Sequence, residues 1–136
     1  MQQAVTRSIS IAARPQVVMD LVADPLKLPQ WAPVFARRIR PDGGDWIVES
    51  AGGELRINVR VSRGHGTVDF LAPGTPAGVD VGAFSRVMTN GDGAEYMFTR
   101  FFAGGADEHV IAEQMAVVEE ELRTVKALCE AEGRRD

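Results

Sequence analysis

The chain has 136 residues, 45% of them apolar and 25% charged, with a formal net charge of −4. This is the make-up of an ordinary soluble globular protein, and the length suits one domain over residues 1–136 with one core. It excludes several partners and cofactors: no apolar run approaches the ~18 residues of a membrane span, no basic patch exceeds Arg37-Arg38 for nucleic acid to use, and a lone cysteine, Cys129, forbids an internal disulfide.

In chain order, Met1 to Arg7 holds no apolar signal-peptide segment, so the expected location is cytoplasmic. Residues 3–12 alternate, with Val5, Arg7, Ile9 and Ile11 on one side and Thr6, Ser8 and Ser10 on the other, which predicts a first strand. Pro15 is suited to the first position of a helix whose apolar face is Val17, Val18, Leu21 and Val22. Asp24-Pro25 ends that helix. Leu26 to Trp31 reads as a second short helical turn, closed by Pro29 and Pro33.

From Phe35 the pattern is strands and turns. Pro41-Asp42-Gly43-Gly44, Gly52-Gly53, Gly64-His65 and Asn90-Gly91-Asp92-Gly93 are hairpin signals, and Ala72 to Gly78 reads as a longer loop. Strands joined by such short turns are antiparallel. The expectation is a six-strand meander at 35–40, 45–51, 54–63, 66–72, 79–89 and 94–102. With Gly52-Gly53 as a two-residue turn, Trp46 faces Val59 and Val48 faces Ile57, while Glu49 meets Arg56 and Asp45 meets Arg60. With Gly64-His65 as a two-residue turn, Val61 faces Val68, Val59 faces Phe70 and Arg60 meets Asp69. A four-residue loop at Pro41 to Gly44 sets Ile39 opposite Trp46. One face is then dry and the other ion-paired. For the last hairpin, a four-residue loop puts Phe84, Arg86 and Met88 with Met97, Thr99 and Phe101. A five-residue loop puts them with Tyr96, Phe98 and Arg100, and is favoured because it groups more aromatics.

The C-terminal stretch, Asp107 to Ala131, repeats apolar residues at Ile111, Met115, Val118, Leu122, Val125 and Cys129, on one face of an α-helix. Asp107 stands at the N-cap, Glu108 adds charge to the first turn, and Gly133 supplies the stop. At about 1.5 Å per residue this helix is roughly 37 Å long. Only the strands upstream are wide enough to receive its stripe. Cys129 falls on that stripe, where a packing role is expected.

The order strand, two short helices, six-strand meander and long helix resembles the helix-grip fold of the START-like (SRPBCC) superfamily. The local carriers are Ile9-Ser10-Ile11-Ala12-Ala13-Arg14-Pro15, Val18-Met19-Asp20-Leu21-Val22-Ala23-Asp24-Pro25 and Leu28-Pro29-Gln30-Trp31-Ala32-Pro33. Gly66-Thr67-Val68-Asp69-Phe70 and Leu122-Arg123-Thr124-Val125-Lys126-Ala127-Leu128 also look like bacterial polyketide cyclase/dehydrase-like members; Arg14 replaces a frequent proline. The resemblance implies an α+β fold. A seven-stranded antiparallel curved sheet, its first strand beside its last, would wrap around the C-terminal helix and leave a cavity for an apolar small molecule. The superfamily includes carriers, cyclases and hydrolases, so the fold alone does not choose among them.

His65 and His109 have no metal-ligand spacing, the glycine-rich stretches open no βαβ helix, and the strand serines have no nearby histidine, so no metal and no cofactor is expected. Arg37, Arg86 and Arg100 fall on apolar faces. A guanidinium there needs a partner, a route to the sheet edge, or a ligand's carboxylate, phenolate or carbonyl. The expected ligand-binding residues are Trp31, Trp46, Phe70, Phe84, Arg86, Met88, Tyr96, Phe98, Arg100 and Met115. The expected function is binding of an apolar or aromatic small molecule, as in lipid-transport relatives, by a monomer or homodimer. The alternatives are a polyketide cyclase or aromatase, with Tyr96 or an arginine polarising a carbonyl, and a protein-interaction module whose core is packed solid.

Overall fold

The computed structural model describes residues 1–72 and 82–133. The chain runs through β1 (Gln3–Ile11), α1 (Pro15–Val22), a 3-10 turn (Pro25–Lys27), α2 (Leu28–Trp31), β2 (Arg38–Asp42), β3 (Asp45–Ser50), β4 (Gly53–Ser62), β5 (Thr67–Leu71), β6 (Gly82–Asn90), β7 (Gly93–Phe102) and α3 (Glu108–Gly133). The strands form one antiparallel sheet in the order β1-β7-β6-β5-β4-β3-β2. The first strand lies beside the last, the sheet curls about the long helix, and the two short helices follow β1, which is the helix-grip arrangement the sequence resembles.

Helix α3 forms where its stripe demands. Ile111, Met115, Val118, Leu122, Val125 and Cys129 are its buried residues. Asp107 caps it: its Oδ1 accepts from His109 N at 2.7 Å, and its carbonyl from Ile111 N at 3.0 Å. Each fully buried aliphatic side chain of this stripe contributes about 1.5–3 kcal/mol of transfer free energy. The stripe meets the inner face of the sheet, where Val48, Ile57, Val68, Tyr96 and Phe98 are buried.

The inward and outward parity of β2 to β5 is as expected, but two hairpins are paired two residues away from the expected register. In the β3–β4 hairpin Ser50 pairs with Gly53, so the turn is Ala51-Gly52, and Trp46 faces Ile57 where Val59 was expected. In the β2–β3 hairpin Asp42 pairs with Asp45, so Pro41 and Asp42 belong to the strand and Ile39 faces Val48, not Trp46. The reason is turn chemistry: Gly43 at φ 63° lets a two-residue turn replace the four-residue loop expected before β3, and Gly53 at φ 117° moves the next two-residue turn one position back, to Ala51-Gly52. A two-residue shift keeps every side chain on its face but changes its charged neighbours. Arg40 pairs with Glu49 at 3.3 Å and Glu54 at 3.1 Å. Arg56 pairs with Asp42 and Asp45. Asp45 therefore does not meet Arg60. Ile47, on this outer face, is 8% exposed, lying opposite Arg40 and Arg56.

The β4–β5 register is the expected one, with Val59 opposite Phe70, Arg60 opposite Asp69 and Val61 opposite Val68. Its connection is longer than two residues, since the last pair is Ser62 with Thr67. The last hairpin overturns the favoured five-residue loop. Asn90 pairs with Gly93 across a two-residue Gly91-Asp92 turn, with Gly91 at φ 57°. Phe84, Arg86 and Met88 consequently share the outer face with Met97, Thr99 and Phe101, and Phe84 packs edge-on against Phe101 at 5.6 Å. The expected loop from Ala72 to Gly78 and the start of the strand expected at 79–89 lie mostly outside the described residues. No helix is long and apolar enough to cross a membrane among the described residues.

Candidate functional site

The two halves of α3 are held differently. The C-terminal half is tied down: Lys126 Nζ donates to Ser10 O at 3.0 Å, Ala12 N donates to Glu130 Oε2 at 2.8 Å, and the Cys129 thiol points to Val17 O. The N-terminal half, carrying Gln114, Val117, Val118 and Glu121, stands over the middle of the sheet with a gap beneath it. That gap is a cleft of about 330 Å³. Leu28 and Trp31 of α2 wall one side, with Val34 and Phe35 from the segment that follows. The floor comes from β3 to β7, including Ile57, Phe70, Ala83, Phe98 and Arg100. Val34 and Leu55 are 68% and 38% exposed and mark the rim. A volume of this order is the lower end of small-molecule sites, roughly 300–1,000 Å³.

The wall is apolar with few polar groups. Ser50 lines the cleft, but its hydroxyl is engaged in the turn, accepting from Gly52 N and donating to Gly53 O. Arg100 is half-buried on the inner face of β7, opposite Val5. Its Nη1 donates to Gln114 Oε1 at 2.8 Å, and its guanidinium lies 5.0 Å from the centre of the Phe102 ring. Burial pulls the Arg100 pKa down, against an upward pull from the charge of Glu121. Burial likewise pushes the Glu121 carboxyl from its ordinary 4.5 up to about 7, with Arg100 drawing it back. Part of Glu121 reaches solvent, yet its surroundings are apolar enough to penalise its charge. Trp31 is 1% exposed and its Nε1 has no hydrogen-bond partner, a buried donor left unsatisfied on a wall residue.

Of the residues expected to bind a ligand, the cleft brings together Trp31, Phe70, Phe98 and Arg100. Trp31 meets Phe70 and Tyr96 edge-on, at 6.1 and 6.5 Å. Tyr96, Met115 and Trp46 are on the inner side but line no part of the cleft. Tyr96 lies beneath the wall with its hydroxyl committed: it donates to Ser85 Oγ at 3.1 Å, and Ser85 donates in turn to Val68 O at 2.7 Å. Desolvation pushes that phenol far above its ordinary range. Phe84, Arg86 and Met88 are on the opposite face of the sheet, for the reason of register given above. Arg37 is exposed ahead of β2. Gln114 and Glu121 escaped the sequence reading. Their signal was present: residues 114, 117 and 121 are spaced three and four apart, a second helical row flanking the buried stripe.

A curved sheet closed by a helix, with an apolar cleft between them and a few polar groups in its wall among the described residues, is the helix-grip architecture of a START-like fold. The family described as polyketide cyclase/dehydrase and lipid transport matches residues 2–130, and the chain belongs to it. Solved structures agree on the fold. XoxI from Bacillus cereus superposes with a TM-score of 0.75 at 14% identity, over 93% of this chain and 94% of that one. The Zhui aromatase/cyclase from a Streptomyces species gives 0.73 at 15% identity, over 96% and 94%. A START superfamily protein from Mycobacterium smegmatis gives 0.70 at 14% identity, over 96% and 99%. No curated protein matches the sequence significantly.

Proposed function

We propose that this chain binds a hydrophobic small molecule in the cleft between its sheet and α3. The observation that carries this reading is the cleft itself: about 330 Å³ of space under α3, walled by aromatic and aliphatic side chains. The family's description, polyketide cyclase/dehydrase and lipid transport, points the same way. A core packed solid, with no such space, would have favoured a protein-interaction module. Trp31, Phe70, Phe98 and Arg100 are the expected contacts, joined by Gln114 and Glu121.

One observation favours an enzymatic reading beside this one. A carboxyl with a pKa near 7 facing a guanidinium across an apolar cleft has the makings of a general base and an electrophile for closing a carbonyl chain. The two readings separate on the fate of the ligand. Native mass spectrometry of protein purified from its host should detect a bound small molecule. Recovery of that molecule unchanged after incubation supports carriage, whereas conversion to a dehydrated product supports a cyclase. Val117→Trp, which fills the cleft from the helix side, should abolish saturable quenching of Trp31 fluorescence by aromatic ligands. Unaltered binding in that variant would place the ligand elsewhere.

A further inference from the structure

The polar inventory of the cleft is lopsided, and its lopsidedness describes an occupant. Arg100 presents a guanidinium to an apolar space, and only Glu121 among the charged groups acts on it, from beyond ion-pair distance. Gln114 turns its carbonyl oxygen to Arg100, which leaves its amide N–H groups as donors. The Trp31 N–H is unsatisfied as well, but it is buried within the wall. Arg100 and Gln114 are therefore the wall residues that offer donors to the space. Among the described residues, the only free side-chain acceptor in the wall is the Glu121 carboxylate, whose charge would repel an anion. Among the described residues no other charged side chain lines the cleft: α2 and β3 to β6 contribute apolar side chains and the engaged Ser50 hydroxyl. Tyr96 of β7 feels the charge of Glu121 from beneath the wall, and its hydroxyl is pinned to Ser85.

Building on the ligand-binding reading above, we propose that the occupant is an amphipathic anion. Its charged head rests on Arg100 and Gln114, its apolar body lies along Phe70 and Phe98, and its entry draws a proton onto Glu121. A buried guanidinium without a counter-ion is costly, and a carboxylate, phenolate or sulfonate would supply one while satisfying several donors at once. A second negative charge at Glu121 would cancel that gain. Protonated, Glu121 becomes one more donor and the cleft carries a single positive charge. The half-protonation of Glu121 near neutrality supports this, since the proton costs little to take up there. Binding and proton uptake are then linked, and affinity for an anion falls as pH rises, by up to about tenfold per unit above the carboxyl's pKa.

Anilinonaphthalene sulfonate and its uncharged parent, N-phenylnaphthylamine, test this as a matched pair, because the sulfonate stays ionised at every pH used. Fluorescence titrations at about pH 6 and about pH 8.5 should show the sulfonate binding more tightly at the lower value by about tenfold or more, and the parent binding alike at both. Glu121→Gln should flatten the sulfonate profile at its low-pH affinity. Arg100→Met should reduce sulfonate affinity to the parent's or below while the parent still binds, which also reports that the variant folds. Arg100→Lys, which keeps the charge but loses the planar fork, should fall between them. Val117→Trp should remove both probes. Parent binding with no preference for the sulfonate, or a pH profile that survives in Glu121→Gln, overturns the anion and its proton linkage and leaves the ligand cleft standing. Failure of both probes to bind the unaltered chain overturns the cleft reading too.

Discussion

Glu121 has a cost that shows without any ligand. Its folded pKa stands above its unfolded one, so between about 4.5 and about 7 the folded chain holds a proton that the unfolded chain has released. Stability is full below that window and declines as pH rises through it. Glu95 works in the other direction. Hydrogen bonds, chiefly from Ser10, hold its carboxyl below the usual range, so its contribution is present above the unfolded pKa and is lost as pH falls. The windows do not overlap. We expect Glu121→Gln to raise the urea midpoint at about pH 8 and to leave it nearly unchanged at about pH 4, where the native carboxyl is protonated. Equal effects at both values would show that the carboxyl is not penalised by its surroundings. Cys129 needs no such test of burial: it is 2% exposed, and desolvation pushes its thiol up to about 11.

At the scale of elements, the long helix was legible because six apolar residues spaced four, three, four, three, four leave one interpretation, and all six are buried. Leu122, 3% exposed, should lose about 2–5 kcal/mol on replacement by alanine. Glu120, whose partner Arg123 is as exposed as itself, should lose less than about 0.5 kcal/mol. Urea midpoints of the two variants measure the difference, and similar midpoints would contradict the stripe. The faces of β2 to β5 were legible too, since alternation fixes parity. Turn lengths were not, because a run such as Gly52-Gly53 or Asn90-Gly91-Asp92-Gly93 permits several loops that differ only in which residue takes positive φ. That ambiguity is what sent Phe84, Arg86 and Met88 to the wrong side. The site suffered most, since it is assembled from a helix row and strand positions that no local pattern links. Gly66 shows how a turn residue can be fixed by something distant: at φ 72° its carbonyl accepts from Val87 N at 2.8 Å, and a Cβ there would collide with the Val87 carbonyl oxygen. Gly66→Ala should therefore cost at least about 1–3 kcal/mol, read from the thermal or urea midpoint; a neutral outcome would mean the connection is free to relax.

For the molecule as a whole, the first and last strands of the chain meet at one edge of the sheet. β1 pairs along its whole length with β7, Gln3 with Phe102 and Ile11 with Ala94. The hairpins β2–β3, β3–β4 and β4–β5 need only neighbours and short loops, and can form as soon as their residues exist. β1 is made first and completed last. On the ribosome it must wait, with Val5, Ile9 and Ile11 uncovered, until nearly the entire sheet has been synthesised, and the helix that covers it comes later still. A contact between such distant parts of the chain has to overcome the largest loop-closure entropy in the fold, so it is the natural late and slow step of folding. During that interval the first strand is the segment most exposed to mispairing with another nascent copy.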